Sequence, residues 1–257
     1  LFAFEDFDLK LDTDVIGRNF LYFDEVESTN DILTDPSKNI NIDGTVVFAE
    51  RQINGKGRKD RKWYSAKDQN LTFSILLKRK LNEKKLNIIN LGTSLALASS
   101  LENLYQLKVN LKWPNDLLVN NEKIAGILLE STTRGNKIEK LIIGIGLNVN
   151  QTTFQGKYQI APTSIKKITN QEINRERLLS EILNNFELML ERVEKEPSHV
   201  LSDWKSRCRM LGEKVIVQDE NLHKTGTFDD IDEDGFLILK TANNKFERIH
   251  YGDVSLR

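Results

Sequence analysis

Apolar and polar positions change period several times along this 257-residue chain. Short apolar runs at 19–24, 45–50, 71–78, 108–112, 124–130 and 140–149 have the length and composition of β-strands. Between and after them, 28–34, 86–105 and 175–196 carry apolar residues at helical spacing. Within 86–105, Leu91, Leu95, Ala98 and Leu101 fall on one face, the stripe expected of a helix lying on a sheet. From Arg175 to Glu196, the residues Leu178, Leu179, Ile182, Leu183, Phe186, Met189, Leu190 and Val193 make a broad core-facing side, and Pro197 closes the helix. Core packing explains that stripe. A short helix is expected around 198–210. From Gly212 the texture changes: Val215-Ile-Val, Gly226-Thr-Phe, Phe236-Leu-Ile-Leu and Phe246-Glu-Arg-Ile are separated by Asp, Gly and Asn turns. Their spacing of about 8–12 residues is that of a small antiparallel β unit. The expectation is an α+β chain, with strands and helices interleaved over 1–210 and a small β domain over 211–257.

Composition narrows the class. The formal net charge is −1, and 29% of residues are charged, so nothing global points to a polyanionic partner. A single cysteine, Cys208, excludes an internal disulfide framework, and Cys208, His199, His223 and His250 have no metal-ligand spacing. No apolar run approaches the about 20 residues of a membrane span, and no signal-peptide pattern is present. A cytoplasmic protein without membrane partners is therefore expected. The 27 residues before Ser28 are expected to hold no DNA-reading module.

Against that neutral background, residues 51–63 stand out: Arg-Gln-Ile-Asn-Gly-Lys-Gly-Arg-Lys-Asp-Arg-Lys-Trp. Arg51, Lys56, Arg58, Lys59, Arg61 and Lys62 oppose only Asp60, a local charge of +5 in a nearly neutral chain. Gly55 and Gly57 let the backbone turn tightly and bring N–H groups toward an oxyanion. A solvated basic turn is the plainer alternative. Nucleic-acid binding is disfavoured, because aromatic residues do not interleave with the cations except for Trp63 and Tyr64 at the end. A second motif, Lys112-Trp-Pro-Asn-Asp116, sits at a break between two strands, with Pro114 ending the pairing. A strand beginning Lys123-Ile-Ala-Gly126 follows, and then Ile142-Ile-Gly-Ile-Gly-Leu-Asn148. Upstream, Ser28-Thr29-Asn30-Asp31 marks a helix start, with Ser28 and Asp31 at capping-box spacing.

In this order, the Ser-Thr-Asn entry, Gln52 before the Gly-x-Gly-Arg-x-x-Arg-x-Trp loop, the Lys-Trp-Pro-Asn-Asp corner, the Lys-x-Ala-Gly strand and the Gly-x-Gly-x-Asn strand resemble the catalytic part of a biotin protein ligase. The resemblance extends over nearly the whole chain. Two positions depart from the family pattern: Lys56, where Arg is common, and Asp60, where Gly is common. Lysine supplies the charge but lacks arginine's bidentate fork. The fold that the resemblance implies is a mixed β-sheet with helices, a class II aminoacyl-tRNA synthetase-like core, followed by a small SH3-like β-barrel.

The activity implied is two-step. Biotin and ATP give biotinyl-5′-AMP, and the biotinyl group then passes to a lysine of a biotin carboxyl carrier protein or carboxylase domain. The resemblance assigns biotin to Ser28, Thr29, Asn30, Gln52, Lys56, Gly57, Arg58, Lys123 and Gly126, and ATP to Arg58, Arg61, Trp63, Lys112, Asn115 and Asn148. Lys123 would bridge carboxylate and α-phosphate, with Arg58, Lys112 and Asp116 completing the catalytic set. Asp116 would orient the acceptor lysine or take its proton. Mg²⁺ is implied by ATP and not by any carboxylate cluster. A lipoate or octanoyl ligase is the nearest rival, disfavoured by the Lys-Trp-Pro-Asn-Asp corner and the Gly-Lys-Gly-Arg loop. A non-enzymatic nucleotide or nucleic-acid binder is the remoter one. Monomer and homodimer both stay open.

Overall fold

The computed structural model describes residues 2–59, 61–79, 82–134, 137–219 and 222–257. The departure at Asp60 lies outside them. The chain opens with α1 (Phe4–Lys10), β1 (Phe20–Val26), α2 (Thr29–Thr34), β2 (Val46–Gln52), β3 (Leu71–Leu77) and α3 (Leu86–Tyr105). Next come β4 (Asn110–Lys112), β5 (Asp116–Val119), β6 (Glu122–Arg134), β7 (Lys137–Leu147), α4 (Ile165–Thr169), α5 (Arg175–Lys195) and α6 (Pro197–Arg207). The tail is β8 (Lys214–Asp219), β9 (Leu222–Ile231), β10 (Leu237–Lys240), β11 (Phe246–Ile249) and β12 (Asp253–Leu256). Strands β1 to β7 form one mixed sheet in the order β1-β2-β3-β7-β6-β5-β4. Only β1 and β2 in it run parallel. The tail strands form an antiparallel sheet in the order β11-β10-β9-β8-β12. The predicted α+β organisation is the observed one.

Strand alternation divides the large sheet into two faces. Leu71, Phe73, Ile75 and Leu77 of β3 and Leu141, Ile143, Ile145 and Leu147 of β7 join the main core, which they share with residues of α3 and α5. Side chains one position out of phase point the other way. There Leu76, Ile142 and Val47 make a small second cluster with Leu33 of α2. Beyond that cluster the same face carries Thr72 and Ser74 of β3, Gly144 and Gly146 of β7, and Gly126, Leu128 and Glu130 of β6. The core is thus on one side, and the polar and glycine positions are on the other.

Helix α3 differs from expectation. Besides the predicted stripe, Ile88, Ile89, Gly92, Thr93, Ser94, Ala96, Leu97 and Ser100 are buried. The helix lies between the sheet and a second layer of α5 and α6, so it has little solvent face. Its hydroxyls are satisfied locally: Thr93 donates to the Ile89 carbonyl and Ser100 to that of Ala96. The α5 stripe is buried as predicted, and its start is fixed by Arg175, which pairs with the buried Glu50 of β2 at 2.5 Å. Sequence periodicity missed α1, α4 and β12, which are too short for a reliable period. Among the described residues, no helix is long and apolar enough to cross a membrane.

Candidate active site

On the polar face of the large sheet lies a cavity of about 340 Å³. Every residue assigned above to biotin, ATP or catalysis lines it: Ser28, Thr29, Asn30, Gln52, Lys56, Gly57, Arg58, Arg61 and Trp63 from the first part of the chain, and Lys112, Asn115, Asp116, Lys123, Gly126 and Asn148 from the strands; Arg51, Gly55 and Lys59 of the basic segment do not. Sequence separations of up to 120 residues collapse because β6 and β7 bring the Lys-x-Ala-Gly and Gly-x-Gly-x-Asn motifs side by side, with Gly126 opposite Gly146.

The end of the cavity formed by α2 is uncharged at the surface and densely hydrogen-bonded. Ser28 sits at the N-cap in an extended conformation, but its side chain makes no capping bond. The expected capping box does not form, because Asp31 is drawn to Lys56 instead. The Thr29 backbone N–H donates to Gln52 Oε1 at 2.8 Å, and Thr29 Oγ1 lies 3.1 Å from the same oxygen and 2.6 Å from Ser74 Oγ. Ser74 Oγ is also 2.5 Å from Asn30 Oδ1, whose amide nitrogen donates to Glu130 Oε2 at 2.5 Å. A Cβ on Gly144 would collide with the Asn30 amide.

The basic loop closes over the cavity, from Lys56 beside α2 to Arg58 and Arg61 beside the tail. Its shape is held by its own backbone: Gly57 N–H donates to the Arg61 carbonyl at 2.6 Å and Trp63 N–H to that of Gly55 at 2.8 Å. The Gly57 donor expected to face an oxyanion is therefore used within the loop. The cations are also partnered. Lys56 pairs with Asp31, whose hydrogen bond raises the ammonium's pKa. Arg61 and Arg58 reach Asp253 of β12 at 3.0 and 3.4 Å, and Lys59 reaches Asp219 of β8 at 3.0 Å. Burial pushes the Arg58 pKa down, with Asp253 opposing it. For Asp253, burial acts upward, yet Arg61, Lys59 and Arg58 together hold its carboxyl below the ordinary value. The tail thus contributes to the cavity, since Asp253 lines it.

Trp63 closes the loop by laying its indole on the floor made by Gly126 and Gly146. A Cβ at Gly146 would strike the ring, and one at Gly126 would sit 3.2 Å from the Lys123 ammonium and 3.4 Å from Trp63. The room over Gly126 is taken by these two side chains. Lys123 Nζ is 2.6 Å from Asp116 Oδ1 and 5.8 Å from the Trp63 ring centroid. Lys112 stands on the other side of Asp116 at 3.8 Å, and burial depresses its pKa, with Asp116 pulling the other way. One carboxylate is thus clasped by two ammonium groups, an arrangement able to meet a second anion.

The two asparagines differ. Asn115 Nδ2 donates to the Ile127 carbonyl at 2.5 Å, fixing the turn between β4 and β5 against β6. Asn148 leaves its Oδ1 buried without a partner, as Trp63 does its indole N–H. Buried polar atoms of this kind are costly unless something satisfies them. Among the described residues, no group of three or more His, Cys, Asp or Glu could hold a metal ion.

The sequence reading missed Ser74, Glu130, Asp253 and the 154–162 segment that includes Gln159, the partner of Arg61 at 2.9 Å, and it named Gly144 and Gly146 only within a motif, without a role. Gly144 and Gly146 had a usable signal: two glycines at period two on a strand mark a close approach on one face. Asp253 had none.

The chain is similar to proteins already known. The model of the biotin/lipoate A/B protein ligase family matches residues 22–148. That of the biotin protein ligase C-terminal domain matches 210–257. The bifunctional ligase/repressor BirA of Salmonella typhimurium is 30% identical over 241 residues, covering 90% of this chain and 72% of that protein. BirA of Bacillus subtilis is 29% identical over 252 residues, 96% of this chain and 76% of its own. Among solved structures, the biotin protein ligase of Aquifex aeolicus, in complex with biotin and ATP, superposes with a TM-score of 0.81 at 31% identity. The match covers 93% of this chain and 99% of the other. The chain belongs to the biotin/lipoate A/B protein ligase family, and its tail carries the C-terminal domain of the biotin branch.

Proposed function

We propose that this chain is a biotin protein ligase that activates biotin with ATP and transfers it to a lysine of a biotin carboxyl carrier protein. One observation carries the reading: a single cavity has an uncharged, hydrogen-bonding end and a strongly cationic end. The first suits biotin's neutral ureido ring, and the second suits its carboxylate and the phosphates of ATP. Ser28, Thr29, Asn30 and Gln52 serve the ring. Lys56, Gly57, Arg58, Lys123 and Gly126 line the path of the tail.

In the first step a biotin carboxylate oxygen attacks the α-phosphorus and pyrophosphate leaves. Two anions must approach, so charge neutralisation and positioning supply most of the catalysis. Lys123 bridges the two reacting groups. Lys112, whose lowered pKa reflects burial, meets phosphate together with Arg58 and Arg61. In the second step an acceptor-lysine nitrogen attacks the acyl carbon and AMP leaves with the electron pair. Before that attack Asp116 orients the incoming lysine or takes its ammonium proton, since an ammonium has no lone pair with which to attack. Asn148, with its unpaired carbonyl, accepts from the adenine amino group, and Asn115 and Trp63 shape that end. Mg²⁺ would enter on the ATP phosphates, since the described residues offer no carboxylate cage.

The core is read as class II aminoacyl-tRNA synthetase-like over 1–210. The five short antiparallel strands of the tail support an SH3-like domain over 211–257. A cytoplasmic enzyme without nucleic-acid or membrane partners fits the sequence. The test is exchange of labelled pyrophosphate into ATP with biotin, lipoate or neither. Exchange only with biotin is expected, and exchange with lipoate alone would overturn the reading.

A further inference from the structure

The hydrogen bonds behind α2 have a direction, and Glu130 sets it. Its carboxylate is acceptor-only, and it receives the Asn30 amide nitrogen at 2.5 Å. The opposite amide orientation would face oxygen to oxygen. Asn30 Oδ1 therefore points to Ser74, 2.5 Å away, and can only accept, so the Ser74 hydroxyl proton goes to it. Ser74 has no second proton. Its 2.6 Å contact with Thr29 then uses the Thr29 proton, because the Thr29 contact with Gln52 is longer, at 3.1 Å. Gln52 Oε1 is served by the Thr29 backbone N–H instead. The chain runs Thr29 to Ser74 to Asn30 to Glu130, each member donating to the next.

The consequence falls on Thr29, which lines the cavity. Its proton points away from the cavity, so its oxygen faces the ligand as an acceptor. We infer that Glu130, which does not itself line the cavity, is a positioning residue that orders this chain so that Thr29 accepts an N–H from the ligand. This rests on the biotin reading above: the ureido ring has N–H donors, while the dithiolane of lipoate has none. Without an acceptor-only terminus the Asn30 amide could turn over. Ser74 could then donate to Thr29, and the Thr29 proton would point to Gln52 or into the cavity. Gly144 keeps the amide in place, since a Cβ there would occupy its position.

The test compares dissociation constants by calorimetry for biotin and for biotin methylated at one or other ureido nitrogen, in the full chain and in Glu130→Gln. The unmodified chain should bind one methylated isomer about tenfold or more weakly than biotin, the scale of one lost hydrogen bond. Glu130→Gln should weaken biotin by about tenfold, erase most of that discrimination, and leave the KM for ATP unchanged in pyrophosphate exchange. If the variant weakened both ligands equally and kept the ratio, Glu130 would be a structural support only and the inference would fail. If the unmodified chain bound biotin but did not distinguish the isomers, the inference would fail alone. If it bound no biotin, the functional reading would fail first. Ser74→Ala, which cuts the same chain at its middle, gives the second arm should Glu130→Gln not fold. The discrimination must collapse there too, and its survival would overturn the proposal.

Discussion

Lys123 concentrates more of the chemistry than any other side chain in the cavity. Its ammonium is held at 2.6 Å by Asp116 and lies beside the Trp63 ring, so it is aimed before any ligand arrives. Its backbone is equally fixed, receiving from Thr163 and donating to Ala161 at 2.9 and 2.8 Å. Replacing Lys123 with Ala should therefore leave the fold intact. The rate of biotin-dependent pyrophosphate exchange should fall on the order of 10²–10³, the loss typical of one preorganised electrostatic group. Calorimetric melting alongside the exchange assay separates the two effects, and a folded variant with normal exchange would remove Lys123 from the chemistry. The residue type and motif made Lys123 legible in the sequence. Its partner geometry was not, because Asp116 reaches it only through the pairing of β5 with β6.

At the level of elements, the decisive contact joins the basic loop to β12. Asp253 accepts from Arg61 at 3.0 Å and Arg58 at 3.4 Å, while Lys59 is held by Asp219. Exposed ion pairs are worth little singly, but Lys59 also lies 3.5 Å from Asp253, and three cations around one half-buried carboxylate hold the loop at several points. Asp253→Asn should loosen it and speed tryptic cleavage within 56–62 at pH 7, compared with the unmodified chain. The pH dependence has a definite sign. Burial opposes ionisation of Asp253, but the surrounding cations hold its pKa below the ordinary 3.8. The tie is thus complete above 3.8 and is lost only as the pH falls through the lower folded value. The ratio of the two proteins' cleavage rates, in which trypsin's own pH dependence cancels, should be constant from pH 8 to 5. A ratio that fell to one in that range would mean another group governs the loop.

Over the whole molecule, the tail is bound to the catalytic part by apolar and polar contacts. Its buried Val215, Val217, Phe228, Ile231, Leu237 and Leu239 belong to one contiguous core with the helices and large sheet. Trp113 donates its indole N–H to the Gly235 carbonyl at 3.2 Å. Gly235 has φ +84°, and a Cβ there would lie 3.1 Å from Asn87 of α3. Gly235→Ala therefore combines backbone strain with crowding at the junction. The expected cost is about 1–2 kcal/mol, seen as a drop of a few degrees in a single calorimetric transition. An unchanged Tm would show that the turn can shift freely and does not brace the corner.

Local sequence determined much of this protein. Strand and helix periods placed β1 to β4, β6, β7, α2, α3 and α5 within a few residues, since period and composition are properties of neighbouring positions. The motifs named fifteen cavity residues, because charge, amide and glycine chemistry is carried by residue type. Tertiary structure alone decided the rest. It buried α3 on nearly all sides, because the second helical layer comes from residues about 90 positions later. It turned the Gly57 N–H inward and gave the loop's cations to Asp31, Asp219 and Asp253, because ion pairing depends on distance in space. It also linked Thr29 to Glu130 through Ser74, a path across α2, β3 and β6 that no spacing along the chain encodes.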